Sequence, residues 1–145
     1  MDLSIIIVSY NARADLANCL DSLRQHPPAM SHEVIVVDNA SRDGSAEEAE
    51  SRAGVRVIRS QTNAGFSAAN NIGIRASTGV NVLLLNSDTI VPPHAIDRLV
   101  ARLSAEPDVA VIGPRLVDGR GRAEMSFGDM ISPWSECRRQ RLLRS

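Results

Sequence analysis

Lysine is absent from this chain of 145 residues; its 16 basic residues are all arginine, and 17 acidic residues bring the net charge to −1. So even a balance gives no electrostatic case for nucleic acid as the main partner. Arginine suits planar, bidentate contacts to phosphate or carboxylate wherever one of these residues is functional. Cysteine is scarce: Cys19 and Cys137 are too few and too far apart for a disulfide framework or a zinc site, which fits a reducing, cytoplasmic setting. No apolar run reaches the roughly 18 residues that a membrane span needs, and Met1-Asp2-Leu3-Ser4 lacks the positive start of a signal peptide. Glycine is missing from Val8-Ser9-Tyr10-Asn11-Ala12-Arg13, the exit of the first strand expected below, so neither a dinucleotide fingerprint nor a P-loop can form there.

What is present is an ordinary globular composition, 43% apolar and 23% charged, in a chain long enough to bury about two-thirds of its unfolded surface. The chain turns on the stretch 80–89. Val82, Leu83, Leu84 and Leu85 form a short apolar run that passes directly into Asn86-Ser87-Asp88-Thr89. Such a run predicts a strand buried on both faces, with Asp88 emerging at its carboxyl end, where open α/β sheets bind ligands. A plain turn is the alternative, because Asn, Ser and Asp all bond back to local backbone.

The rest alternates strand and helix signals. Residues 3–9 read as a buried strand; Asn11 is a cap for a helix over 12–25, whose Leu16, Cys19, Leu20 and Leu23 form one stripe. Residues 34–37 read as a second strand leading into Asp38-Asn39-Ala40-Ser41-Arg42-Asp43-Gly44. Ser45 and Glu48 match a capping box opening a short helix, and 55–59 reads as a third strand. Asn63-Ala64-Gly65 precedes a helix over 66–77, whose small residues around Asn70-Asn71-Ile72-Gly73 predict close approach of backbone to a ligand. Pro92 and Pro93 suit the start of a helix buried through Ile96, Leu99, Val100 and Leu103, and 109–113 reads as a fifth strand. Residues 115–117 and 122–127 flank Asp118-Gly119-Arg120-Gly121, a pattern that predicts a hairpin or an edge ribbon. This order predicts an α/β fold with three α/β/α layers and a mostly parallel central sheet. Residues 1–132 form the expected domain, and 133–145 a basic tail, either a solvated helix face or a peripheral contact with an anionic membrane.

Tyr10, Asp38 and Asp88 thus stand at the ends of three strands, an arrangement suited to a nucleotide base at the first two and a diphosphate with a divalent cation at the last. Four blocks carry a family resemblance: Ser4-Ile5-Ile6-Ile7-Val8-Ser9-Tyr10-Asn11, Val36-Val37-Asp38-Asn39-Ala40-Ser41-Arg42-Asp43-Gly44-Ser45, Asn63-Ala64-Gly65-Phe66-Ser67-Ala68-Ala69-Asn70-Asn71-Ile72-Gly73, and Leu84-Leu85-Asn86-Ser87-Asp88-Thr89. In that order they resemble the family-2 glycosyltransferases of the GT-A fold, and within them the rhamnosyltransferase-like members of cell-wall and surface-polysaccharide assembly. The resemblance implies inverting transfer from a nucleotide-diphosphate sugar, dTDP-rhamnose-like or a UDP-sugar, to a glycan or lipid-linked acceptor at the inner face of the plasma membrane. It implies donor contacts from Ser9, Tyr10, Asp38, Asn63, Gly65, Asn71, Gly73 and Asn86, and a metal ligand in Asp88 for Mg²⁺ or Mn²⁺. Asn86 stands where many relatives carry aspartate, which leaves one carboxylate ligand and the remainder to diphosphate oxygens and water. For single residues plainer roles stay open: Tyr10 packing, Asp38 ordering its loop, Asn71 capping a turn.

The family takes its proton-accepting carboxylate from a later segment, and the sequence stops before a stretch that matches it. Asp129 and Glu136 are the carboxylates of the last part of the chain, and neither matches. His26, His32 and His94 are expected in solvent. The competing expectation is therefore a nucleotide-sugar-binding module without transferase activity.

Overall fold

The strongest local signal, an unbroken β-branched and apolar run, forms the centre of the molecule. In the computed structural model β1 (Leu3–Ser9) is buried at all seven positions. Parallel neighbours flank it on both sides: β2 (His32–Asp38), then β3 (Val55–Arg59), and on the other edge β4 (Asn81–Asn86), in the order β3-β2-β1-β4. Helices α1 (Arg13–Gln25), α2 (Ser45–Glu50), α3 (Phe66–Ala76) and α4 (Ala95–Ser104) alternate with the strands. The structure describes residues 1–117, and the chain divides into units 1–110 and 111–145. The expected boundary at 132/133, the basic tail, Asp129, Glu136 and the second half of the hairpin lie outside the described residues.

Alternation along each strand sorts the core into two layers. Leu3, Ile5, Ile7 and Val36 face Leu16, Cys19, Leu20 and Leu23 of α1, Ala49 of α2 and Ile96 of α4. Val8, Ile35 and Val37 face Ala69 of α3 on the other side, with Ile58 and Ile72 packed against them. Each fully buried Ile, Leu or Val contributes about 1.5–3 kcal/mol relative to exposure, so β1 and α1 dominate the folding energy. The chain winds outward from β1 through α1 and α2, then returns over the opposite face through α3 to reach β4. The strand order thus reverses between β1 and β4, and this is the place where doubly wound sheets open a crevice at their carboxyl ends.

Several expectations are corrected. β4 is not buried on both faces: Val82 is 42% and Leu84 49% exposed, because α3 lies over β1 and β2 and β4 is an edge strand among the described residues. Residues 109–113 form no strand; the Val109 amide closes a turn onto the Glu106 carbonyl, and Val111 is exposed. On α4 only Ile96 is fully buried, with Leu99, Val100 and Leu103 half-covered. Asn11 does not cap α1. It adopts φ 51 and accepts a hydrogen bond from the Arg42 amide, while the α1 start is held by Asp43 Oδ2, accepting from the Arg13 amide at 2.9 Å. The capping box is not formed either: Gly44, at φ 86, precedes α2, Ser45 Oγ donates to Asp43 Oδ1, and Glu48 turns to Arg52. A polar side chain from the next loop thus replaces the local cap, since the loop after β2 stacks directly on the α1 start.

Candidate donor-binding site

Register alone assembles the strand ends. Ser9 pairs with Asp38, Val8 with Asn86, and the Ser60 amide donates to the Asp38 carbonyl at 2.8 Å. From one edge to the other the carboxyl ends therefore read Ser60, Asp38, Ser9 with Tyr10, then Asn86 with Asp88. With neighbouring strands about 4.8 Å apart, Asp38 and Asn86 lie roughly 10 Å from each other with β1 between them.

The polar atoms of this row are unequal. Asp38 is 3% exposed; one carboxylate oxygen accepts from the Ser41 amide at 3.1 Å, and the other, Oδ1, is buried without a partner. Ser9 Oγ and Ser60 Oγ are buried and unpartnered as well. Leaving a buried polar group unmet costs about 1–3 kcal/mol, so the carboxylate oxygen and the hydroxyl on these adjacent strand ends are costly positions within the fold. Tyr10 is half-exposed just beyond, free to lie along a planar ligand.

Beside Asp38, Asn39 is buried and ties down the loop before α3. Its side-chain Nδ2 donates to Asn63 Oδ1 at 2.7 Å, its Oδ1 accepts from the Ala64 amide, and Asn63 Oδ1 also accepts from the Gly65 amide. Asn63 and Gly65 are thereby brought next to the β2 end, with Gly65 at φ 85, a conformation that favours glycine. Asn71 and Gly73 belong elsewhere. Asn71 faces solvent, and Gly73 lies eight residues, about 12 Å, along the helix from Gly65. A Cβ on Gly73 would meet Ile6 Cγ2 at 2.4 Å and Val37 Cγ2 at 3.3 Å, so the close approach that this glycine permits is helix to sheet, not backbone to ligand. Its buried neighbour Asn70 bonds the Phe66 carbonyl within the helix.

At the far side of the crevice β4 ends in a turn closed by the Thr89 amide on the Asn86 carbonyl, with Asn86 and Asp88 exposed. The plain turn expected as the alternative is therefore formed. The Cys19 thiol lies beneath, 3.7 Å from the Asn86 carbonyl oxygen; burial pushes its pKa up to about 12, and the Asp88 charge adds to that. Cys19 is thus a packed core thiol. Among the described residues no cluster of three His, Cys, Asp or Glu could cage a metal, and Asp88 forms no ion pair. A single free carboxylate with a neighbouring amide fits a hard cation that keeps most of its coordination for phosphate oxygens and water. A groove of about 540 Å³ lined by Leu20, Leu23, Pro28, Val34 and Val55 lies near the opposite, amino ends of the strands and takes no part in this row.

The chain matches Glycosyl transferase family 2 over residues 4–145. It belongs to that family. An uncharacterized glycosyltransferase of Haemophilus influenzae is 34% identical over 110 residues, which cover 76% of this chain and 37% of the relative. A dolichol-phosphate mannosyltransferase of Pyrococcus furiosus is 32% identical over 127 residues, covering 86% of this chain and 36% of the relative. Among solved structures, the mannosyltransferase PcManGT of Pyrobaculum calidifontis, in complex with GDP-Man and Mn²⁺, superposes with a TM-score of 0.67 at 27% identity, over 74% of this chain and 33% of that one. This family-2 glycosyltransferase chain thus has the GT-A fold, and it spans about a third of the length of these relatives. Among its described residues no helix is long and apolar enough to cross a membrane.

The sequence pattern points to Ser9, Tyr10, Asp38, Asn63, Gly65, Asn86 and Asp88, which stand at or next to the strand ends, and to Asn71 and Gly73, which lie farther along α3. It missed Asn39 and Ser60. Asn39 was visible as the residue after Asp38, but its role depends on which loop folds over it. Ser60 had no signal beyond following a strand.

Proposed function

We propose that this chain binds a nucleotide-diphosphate sugar across the β1/β4 crevice and supplies the donor side of an inverting glycosyl transfer to a glycan or lipid-linked acceptor. The observation that carries this reading is the pair of buried, unpartnered oxygens, Asp38 Oδ1 and Ser9 Oγ, on adjacent strand ends. Asp38 Oδ1 has no partner and can accept a hydrogen bond, so it suits a base that offers a ring N–H, as uracil, thymine and guanine do. Tyr10 covers the base, Asn63 and Gly65 border the donor, and Asn86 and Asp88 meet the diphosphate end. A bound Mg²⁺ or Mn²⁺ supplies charge neutralisation for the departing nucleoside diphosphate. Asp88 would hold that ion at the diphosphate end, and the buried floor of β1 would keep water from the base.

The GDP-Man and Mn²⁺ held by PcManGT support a nucleotide sugar and a divalent ion as the class of ligand. The four motif blocks favour dTDP-rhamnose or a UDP-sugar as the donor, within surface-polysaccharide assembly on the cytoplasmic face of the membrane. Thermal unfolding with UDP, dTDP, GDP and CDP, each with and without Mn²⁺, tests this. At 100 times its dissociation constant a ligand adds about 2.7 kcal/mol of stability, a shift that is easily read. UDP, dTDP or GDP should stabilise the chain more with Mn²⁺ than without, CDP should not, and Asp88→Ala should remove the metal increment. No shift with any nucleotide at saturation would overturn the reading.

A further inference from the structure

The Asp88 turn rises from the sheet with few bonds of its own. Asp88 and Ile90 are exposed, and among the described residues the backbone bond from Thr89 to Asn86 is the one hydrogen bond inside the turn. Its two ends, however, sit on the same helix. At the near end the Asn86 carbonyl oxygen receives the Cys19 thiol at 3.7 Å. At the far end the Val91 amide donates to Ser22 Oγ at 3.0 Å, a buried contact between residues 69 apart in sequence. Ser22 Oγ in turn donates to the Cys19 carbonyl at 2.7 Å, so this hydroxyl has its proton committed to the helix and a lone pair committed to the turn. Ser22 is 6% and Val91 3% exposed, so water cannot replace either partner. Cys19 and Ser22 are one helical turn apart on one face of α1 and grip the two ends of residues 86–91.

We infer that Ser22 is a positioning residue for the metal-facing carboxylate: through the Val91 amide it fixes where the chain leaves the Asp88 turn, and hence where Asp88 stands over the crevice. The inference rests on the proposed role of Asp88. Removing the hydroxyl leaves the Val91 amide buried without an acceptor, and that amide regains a partner only by moving outward and carrying the turn with it. Groups that hold a metal ligand in place typically govern the ion's affinity by about 10–100-fold. Val91 is three residues from Asp88, with nothing but the turn between them. The effect should therefore appear in metal binding and leave the base end, on β1 and β2, unchanged.

The test titrates Mn²⁺ into the full chain at saturating UDP and follows free Mn²⁺ by electron paramagnetic resonance, with UDP affinity measured separately in chelator. Ser22→Ala should weaken Mn²⁺ by about tenfold and leave metal-free UDP affinity unchanged. Leu20→Ala, a core truncation on the same helix that keeps both anchors, should lower the unfolding midpoint further yet bind Mn²⁺ as the parent does. Ser22→Cys, which fills the site with a weaker hydrogen-bonding group, should fall between parent and Ser22→Ala and serves if the alanine variant does not fold. Parent-like Mn²⁺ affinity in the Ser22 variants, with binding lost in Asp88→Ala, overturns the inference and leaves the role of Asp88 standing. Equal weakening in Leu20→Ala and Ser22→Ala also overturns it, as general loosening. If the parent's Mn²⁺ binding is indifferent to Asp88→Ala, both fall together.

Discussion

Ser9 and Asp38 stand opposite each other in the β1–β2 register, and each keeps one oxygen buried without a hydrogen-bond partner. The two outermost residues of the best-packed strands are thus left unmet where the sheet opens to solvent. A fold that satisfies the buried side-chain oxygens of Ser4, Ser22 and Ser45 leaves this pair, together with Ser60 Oγ just past β3, unmet at a cost.

Asp38→Asn measures what the pair is for. The amide keeps the shape and the bond from the Ser41 amide, and it exchanges the unmet acceptor for an NH2 group that can only donate. Stability of the free chain should stay close to that of the parent. Affinity for a nucleoside diphosphate should fall by about 10–100-fold, the equivalent of about 1.5–3 kcal/mol for a hydrogen bond to a charged group. Titration calorimetry beside urea unfolding separates the two, and unchanged affinity would assign Asp38 to its loop alone.

Gly73→Ala should destabilise although alanine is the better helix former by about 1 kcal/mol. The new methyl would stand 2.4 Å from Ile6 Cγ2, a branch methyl that cannot swing away without leaving its rotamer. A net loss of about 1–3 kcal/mol is expected. Adding Ile6→Ala should recover part of it, so the double variant should be more stable than the sum of the two single losses. Strict additivity in urea unfolding would count against this contact.

Glu33 links pH to the amino ends of the strands. Its carboxylate accepts from Ser4 Oγ, from Thr78 Oγ1 and from the Thr78 amide, in that order of effect, and these bonds hold its pKa below the ordinary 4.5. A lowered folded pKa means that the stabilisation is complete above about 4.5 and is lost as pH falls from there through the lower folded value. Urea midpoints between pH 7 and 3 should therefore decline less steeply in Glu33→Gln than in the parent, and the variant should be less stable at neutral pH. Parallel curves would sink the assignment.

Periodicity and turn chemistry in the sequence determined a good deal. The strand of residues 3–9, the stripe Leu16, Cys19, Leu20 and Leu23, and the polar exits at Ser9, Asp38 and Asn86 are local patterns, and a buried parallel strand has few other ways to be written. The motif blocks around them carried the family. Local pattern could not say which residues meet across a sheet. Gly73 and Gly79 both look like freedom for a loop or ligand, yet each marks a close approach to β1, since a Cβ on Gly79 would lie 2.5 Å from the Ser4 amide nitrogen. The exposure of Val82 and Leu84 followed from the path of α3 over β1 and β2, and the start of α1 was capped by Asp43, 30 residues away, instead of by Asn11. Short-range hydrogen bonds and side-chain alternation act between neighbours in sequence, so the sequence determined the elements and the chemistry at their ends. Packing partners and caps depend on which surfaces the folded chain brings together, and only the tertiary structure decided that Ser9 and Asp38 would be left unmet and that Ser22 would bond the Val91 amide beyond the Asp88 turn.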